Sequence, residues 1–594
     1  MNTAKKNVLI VGIYMPGIYP SGDDEVVSRL LSTAFLKAAA DADPDIAPHY
    51  DIQILDIPTT RPPEKIAQDI LQKNPDVLAY SAYMWNYDQM SESLMIVKEE
   101  RPDIWTLLGG PLVTYTSEQI MSHLPADVVV CGTNAGELRF RQLLKCDRSV
   151  ESLNNIPLIC YRTPNGELAN TGGVIQEDVS QIPSIYKNKA IDLDDGRRHT
   201  VFIETFRGCP FSCGYCIWGP EGNKVNRFDL DQLICDIKII YNHPKVEAVI
   251  FTDACLFYTR KRARVICETI ASCSRQIPTV LTLDMHVLDE DMVDHLEMID
   301  LYHNQYHFGL QTTNPKAMAY LERPGTATEI GRERYAQKYM DGVNLLRKRI
   351  PAAEISFDII YGLPGDDYEH FRDTIDFALN LKPSKLHFHP LLLLPGTRFY
   401  TDRDELKFIY DDVPPFMVKS NDTFIEDDMH KAIRYVLWTM AMMYFPTIRD
   451  TVFNLSALVG VRQIHLIDEW IRLVENRIDP YAAVRSQHKF TLDAHNLIRR
   501  SFMNVLTEPQ NCVHGYEALL EMLNSYSADS LTDNVKLGIA YYSAIVDGKI
   551  EPENQAYCDP KQLVDQGILQ CKDHSQLELV KTVWVNASTT TKVA

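Results

Sequence analysis

The apolar positions of the chain change period along its length. From residue 7 to about 132, short β-branched runs alternate with stretches of helical period. NVLIVGIY (7–14), DIQILDI (51–57), DVLAYSAY (76–83), WTLLGGP (105–111) and ADVVVCG (126–132) read as buried strands. EVVSRLLSTAFLKAAAD (25–41), opened by Asp23 or Asp24, EKIAQDILQKN (64–74) and the segment through DQMSESLMIVKEERP read as helices. Continuous apolar strands alternating with helices predict a parallel, doubly wound sheet covered on both faces. Such sheets bind ligands at the carboxyl ends of their strands. Gly12, Ser81, Gly109, Gly110 and Gly132 stand there. They are small enough to let a flat ligand lie against the backbone, although each glycine could equally serve only a turn.

Residues 151–194 form a connector, in which NNIPLICYRTPNGELANTGG predicts a hairpin turning at Pro164–Asn165–Gly166. Between 195 and 400 a strand–loop–helix unit recurs six times: TVFIETF, VEAVIFTDACLFY, TVLTLDMH, LYHNQYHFGLQTT, EISFDIIYGLPG and KLHFHPLLLLPGT. Six such units suit a partial (β/α)6 barrel with its chemistry at the carboxyl ends of the strands. Residues 401–594 are helix-rich (HKAIRYVLWTMAMMYF, LIDEWIRLVENRI), without repeats or basic runs. The expected architecture is α/β: a Rossmann-like domain at 1–150, the connector at 151–194, the barrel at 195–400, and a mostly helical domain at 401–594 that covers the barrel mouth and shapes a substrate pocket.

Composition narrows the function classes. A chain of 594 residues exceeds one ordinary core, and 45% hydrophobic with 23% charged residues is a globular balance. The formal net charge of −21 argues against a nucleic-acid partner. No apolar run reaches the roughly 18 residues of a membrane span, so no membrane partner is expected. The opening MNTAKKNVLIVGIYMPG puts lysines before a short apolar run, but Pro and Gly follow where a signal peptide has a cleavage site, so it reads as a first strand. The thirteen cysteines are an odd number scattered mostly singly, which fits reduced thiols in a cytoplasm.

The decisive segment is ETFRGCPFSCGYCIWGP (204–220), where Cys209, Cys213 and Cys216 form a CxxxCxxC array directly after a predicted barrel strand. Thiolates are the ligands that iron–sulfur clusters favour. Three cysteines leave one iron of a four-iron cubane open to another ligand, as catalytic metal sites keep an open position. A structural zinc site needs a fourth ligand, and no His or Cys follows Cys216 at finger spacing. With Tyr215 before the last cysteine, the segment resembles the radical S-adenosylmethionine (SAM) superfamily, over the whole of 195–400. The resemblance implies a 4Fe-4S cluster whose open iron chelates SAM, and C–S cleavage to methionine and a 5′-deoxyadenosyl radical. It places Thr252 and Asp253 of FTDACLFY, where the family more often has Gly-Gly-Glu, near the SAM amino group. It also places Gln311 of GLQTTNP near the ribose, Arg323 of LERPG near the carboxylate, and Gly362 of YGLPGD against adenine, with LLPGT (393–397) ending the sixth strand.

Residues 76–137 resemble the cobalamin-binding domain that precedes the barrel in one radical SAM subgroup, through DVLAYSAYMWN, LLGGP and ADVVVCGTNAGELRF. The last departs from the commoner GEGE form at Asn134 and Ala135, and no DxHxxG signature is present. The resemblance therefore implies cobalamin bound base-off without a protein histidine, with Tyr83 and Trp85 as candidates beneath it. A nucleotide-binding or empty Rossmann-like domain is the alternative. The expected activity is transfer of a methyl group from SAM through cobalamin to carbon, with phosphorus second, of a small molecule or peptide. Flavodoxin or ferredoxin is the expected electron donor. Rearrangement or cyclisation without methyl transfer is the runner-up, and a non-catalytic iron–sulfur protein a third reading. A methylthiotransferase is rejected, because the first domain offers only Cys131 and Cys146 for a second cluster. No catalytic side chain is assigned from sequence.

Overall fold

The protein is described from a computed structural model covering residues 5–15, 26–132, 136–173, 178–219, 225–299, 304–481 and 501–548. Two seven-stranded sheets organise these residues. In the first, Tyr50–Pro58, Lys6–Tyr14, Val77–Ser81, Trp105–Gly109 and Val128–Val130 run parallel in that spatial order. The order is 2-1-3-4-5, and its switch point lies between Lys6–Tyr14 and Val77–Ser81. Alternation along each strand feeds two cores. Leu9, Val11, Leu78 and Leu108 pack with Ile66 and Leu94 on one face, while Val8, Ile10, Ala79 and Leu107 pack with Phe140 and Leu143 on the other. The connector hairpin, Ile159–Arg162 with Leu168–Asn170, is antiparallel and extends this same sheet.

In the second sheet, Arg198–Ile203, Val246–Phe251, Thr279–Leu283, Gln305–Gln311, Glu354–Tyr361 and Lys385–Pro390 lie side by side in chain order, all parallel. Phe308, Phe357 and Phe388 point outward into one large core shared with the covering helices. The opposite face of these strands lines the barrel lumen.

One expected helix is shorter than its pattern suggests. Within 25–41 only Leu31–Asp41 is helical, and Val26–Ser28 is a strand paired in parallel with Arg198–Thr200 at the barrel's first edge. An uncovered edge presents unpaired backbone groups, and two adjacent valines suit a strand better than a helix start. Asp23 and Asp24 lie outside the described residues.

The helices Glu426–Tyr444, Pro446–Val459, Gln463–Glu475, Pro509–Ser525 and Thr532–Val546 build the C-terminal region around Trp438 and Trp470. Its described contacts run along the barrel's outer helix Tyr368–Asn380 and last strand, where Arg462 pairs with Asp373 and Asp376 at 2.5 and 2.9 Å. None of the described helices is long and apolar enough to cross a membrane.

Candidate active site

The cysteine loop begins where Arg198–Ile203 ends, and buried polar groups fasten its base. Asp253 Oδ1 accepts from the Thr205 amide at 2.9 Å, the Phe206 amide at 3.0 Å and the Thr205 hydroxyl at 3.1 Å. Thr252 Oγ1 donates to the Ile203 carbonyl, and Arg262 donates to the Thr205 and Phe228 carbonyls. Thr252 and Asp253, which the family resemblance places near the SAM amino group, also fasten the root of the loop, and the second carboxylate oxygen of Asp253 is buried without a partner. Burial, opposed by those amides, pushes the Asp253 carboxyl up to about 7.

Cys209, Cys213 and Cys216 follow, all half-buried, with the Cys216 amide donating to the Cys213 carbonyl at 2.9 Å. Burial pushes the Cys209 and Cys213 thiols up to about 11 and raises that of Cys216, while the nearby Arg323 charge works the other way. Among the described residues no three Cys, His, Asp or Glu side chains converge as single-ion ligands. Gly214 is pinned between two short helices, Pro315–Leu321 and Arg398–Thr401: its amide donates to the Leu321 carbonyl, and its carbonyl accepts from the Phe399 amide.

Three of the residues expected to face SAM come together beside this loop. Arg323 Nη1 donates to the Tyr215 hydroxyl at 2.9 Å, and Gln311 and Arg323 both close over Gly309, where an added Cβ would meet them at 2.5 and 3.2 Å. Gln311 has φ +63°, a left-handed conformation that a non-glycine residue adopts at a cost and that recurs at functional sites. Its Oε1 and the Arg323 Nε are buried without partners. Such orphaned atoms are costly unless a ligand supplies the missing bonds. A polar ligand such as the amino-acid and ribose portions of SAM fits them.

Gly362, φ +86°, lies apart from these three. Its carbonyl accepts from Asn421 Nδ2 at 2.8 Å, and a Cβ there would meet the Met429 sulfur at 2.9 Å. Sequence reading missed Asp284, at the end of the third strand. It accepts from the Tyr258 hydroxyl at 3.0 Å, and although burial opposes ionisation, His286 and Arg323 hold its carboxyl low. Its only signal was a lone acid in TLDMH.

At the carboxyl ends of the first sheet, Asn86 donates to the Ile13 and Ser81 carbonyls and accepts from the Tyr83 amide, fixing a loop at the switch point. Tyr83 and Trp85 stack on this loop with centroids 4.3 Å apart. Ser81 shares a hydrogen bond with Ser32 at 2.9 Å. The small residues divide by role. Gly12 is closed in by Leu30, Thr33 and Asp56, Gly110 (φ +121°) by the Ala82 backbone, and Gly132 by Leu158. Gly109 is different, since a Cβ there would meet nothing closer than 3.8 Å. An open glycine beside stacked aromatics is a surface on which a flat macrocycle such as cobalamin can lie. Asn134 and Ala135 lie outside the described residues.

The two sheets present these ends to each other. Arg207, two residues before Cys209, grips Glu137 of the first domain through both carboxylate oxygens at 2.8 and 2.9 Å, and Glu204 at 3.1 Å. Its guanidinium lies 5.2 and 5.3 Å from the centroids of Phe35 and Phe228. A second contact joins Gln119 Nε2 to the Asp412 carbonyl at 2.8 Å.

A doubly wound sheet facing a partial barrel whose first loop carries three cysteines defines a two-cofactor class of α/β enzyme. The model of the radical SAM superfamily matches residues 203–378, and that of the B12-binding domain matches residues 34–142. The chain thus carries a B12-binding domain followed by a radical SAM domain. It is 25% identical over 445 residues to the cobalamin-dependent radical SAM methyltransferase TokK of Streptomyces tokunonensis, covering 72% of this chain and 62% of TokK. In fold it is similar to the cobalamin-dependent SAM radical enzyme OxsB with aqua-cobalamin and SAM bound (TM-score 0.55, 13% identity, 98% of this chain and 84% of that one). It is also similar to the radical SAM methyltransferase TsrM of Kitasatospora setae with cobalamin and a [4Fe-4S] cluster bound (TM-score 0.52, 14% identity, 69% and 78%).

Proposed function

We propose that the protein is a cobalamin-dependent radical SAM methyltransferase, acting on carbon, or secondarily phosphorus, of a small molecule or peptide. The observation that carries this reading is the Arg207–Glu137 junction, which sets the open face of the first sheet against the cysteine loop. When bound, the cluster and cobalamin supply SAM cleavage and methyl carriage; the protein supplies position and dry surroundings.

In this reading Cys209, Cys213 and Cys216 hold the cluster, and Tyr215, Gln311 and Arg323 orient SAM, with Gly362 further along the same rim. Thr252 and Asp253 brace the loop. Gly109, Tyr83 and Trp85 face the corrin, while Gly12, Ser81, Gly110 and Gly132 shape the backbone beneath it. The electron comes from a flavodoxin or ferredoxin, in a cytoplasm. The domain limits 1–150, 151–194, 195–400 and 401–594 serve this division of labour, with the connector hairpin working as part of the first domain.

Anaerobic turnover of the reconstituted protein with SAM labelled in its methyl group, hydroxocobalamin, a reductant and candidate substrates tests the proposal. Label in the product with release of S-adenosylhomocysteine is the expected result. A rearranged, unlabelled product formed with 5′-deoxyadenosine alone overturns it in favour of rearrangement or cyclisation.

A further inference from the structure

The lumen wall beside Gln311 and Arg323 carries a polar group that lies outside the candidate cofactor contacts. His307, Asp358, His387 and His389 stand on the last three strands. Tyr306, Phe308, Phe357, Leu386 and Phe388 point outward into the core, so the residues that alternate with them point inward. Register fixes their height. Gly309, over which Gln311 and Arg323 close, is level with Asp358, and Asp358 is level with His387. Neighbouring strands lie about 4.8 Å apart, so this group adjoins the candidate SAM surface on the same face.

Its internal bonding is incomplete. His307 and His387 stack with centroids 5.2 Å apart, and each leaves its Nε2 buried with no partner. His389, whose side chain is 55% exposed, meets Asp358 Oδ1 through Nε2 at 3.2 Å. Burial lowers both stacked imidazoles, His387 to about 4, so both are neutral near pH 7. Burial opposes ionisation of Asp358, but the His389 hydrogen bond and the surrounding histidines hold its carboxyl low. Lys385 opens the last strand, with its Nζ at 3.4 Å from Gln305 Oε1 and 4.0 Å from Glu354 toward the opposite end of the strands, and its charge helps lower both stacked imidazoles. The wall therefore offers one carboxylate and two imidazoles, each with an unused Nε2, while the cations Arg323 and Lys385 flank the group rather than sit within it.

We propose that His307, Asp358, His387 and His389 form the substrate subsite of the barrel lumen, taking the end of the substrate that bears hydrogen-bond donors, an amine before a hydroxyl. It rests on the methyltransferase reading for its purpose, but not for its test. An imidazole pair can switch tautomers to suit amine or hydroxyl, whereas a carboxylate or phosphate group would be repelled by Asp358.

The test uses n-butylamine, n-butanol and butyrate as probes of the anaerobically reconstituted protein, read by saturation-transfer NMR. The wild type is compared with Asp358→Asn and His387→Phe, and iron content, cobalamin content and SAM cleavage are measured on the same samples. The expected result is a saturation signal for butylamine, weaker for butanol and absent for butyrate, falling severalfold in each variant while iron and cobalamin content stay at wild-type levels. Equal butylamine signals in wild type and Asp358→Asn, or a butyrate signal matching that of butylamine, overturns the subsite. If one variant fails to fold, shown by lost iron, the other decides. Failure of the methyltransferase reading appears separately, as unlabelled product from labelled SAM.

Discussion

At the scale of single residues, the glycines of the first sheet separate fold from ligand. Gly110 adopts φ +121°, and a Cβ there would meet the Ala82 carbonyl oxygen at 2.5 Å. Gly110→Ala should therefore destabilise the domain by about 1–3 kcal/mol through backbone strain, visible as a lower Tm without any ligand. Gly109→Leu places its side chain over an open surface. It should leave the Tm near wild type and reduce hydroxocobalamin uptake severalfold, read from the visible spectrum of the purified protein. Asp253 gives a pH test. Its folded carboxyl sits at about 7, raised above its unfolded value by burial. Its contribution to stability is thus full below the ordinary carboxyl range and is lost as pH rises through about 7. Asp253→Asn keeps an acceptor for the same three donors and removes that titration. The wild-type Tm should fall relative to the variant between pH 5 and 8, and parallel curves would refute the assignment. Asp253→Ala strands the Thr205 and Phe206 amides, at a cost of about 2 kcal/mol or more, and iron retention should fall with it.

At the scale of elements, Val26–Ser28 shows a segment of the first domain completing a sheet of the second. Proline at position 27 cannot donate to a ladder, so Val27→Pro should unpair this edge. Hydrogen exchange should speed up in the peptide spanning Arg198–Ile203, which begins the barrel and leads into the cysteine loop. Exchange in Lys6–Tyr14, an interior strand of the other sheet, should stay slow. The fourth to sixth barrel strands are mixed in character for a related reason. Their outer positions are uniformly apolar, while His307, Asp358, His387 and His389 interrupt the inner positions, where a closed and purely structural lumen would be apolar too.

At the scale of the whole molecule, one side chain carries much of the junction between sheets. Glu137 is only 4% exposed, and Arg207 gives it two charge-assisted bonds from the barrel. Arg207→Ala would take both of these charge-assisted bonds from a buried carboxylate, a loss of about 3–5 kcal/mol. Calorimetry should show the wild type unfolding in one dominant transition, and the variant in two, with the first sheet and the barrel melting apart. Arg207→Lys keeps the charge but not the two-pronged geometry, so it should fall between them. A variant that still melts as one unit would show that Gln119–Asp412 and the apolar contacts suffice.

The sequence by itself determined what depends on local pattern. Five parallel strands, six barrel units and the CxxxCxxC array were legible because strand period, helix period and ligand spacing are encoded within a few residues of one another. The glycines at strand ends were legible as small, but not as open or closed, since only the approach of Ala82, Leu30 or Leu158 distinguishes Gly109 from its neighbours. The hold of Thr252 and Asp253 on the root of the loop was not legible, since only the fold brings the Thr205 and Phe206 amides onto Asp253, and Val26–Ser28 read as helix until it met a bare strand edge. His307, Asp358, His387 and His389 lie up to 82 residues apart in the chain, and no spacing rule joins them. Tertiary structure decided all of these, because hydrogen-bond partners, burial and charge environment are properties of neighbours in space, and parallel crossovers place those neighbours tens of residues away.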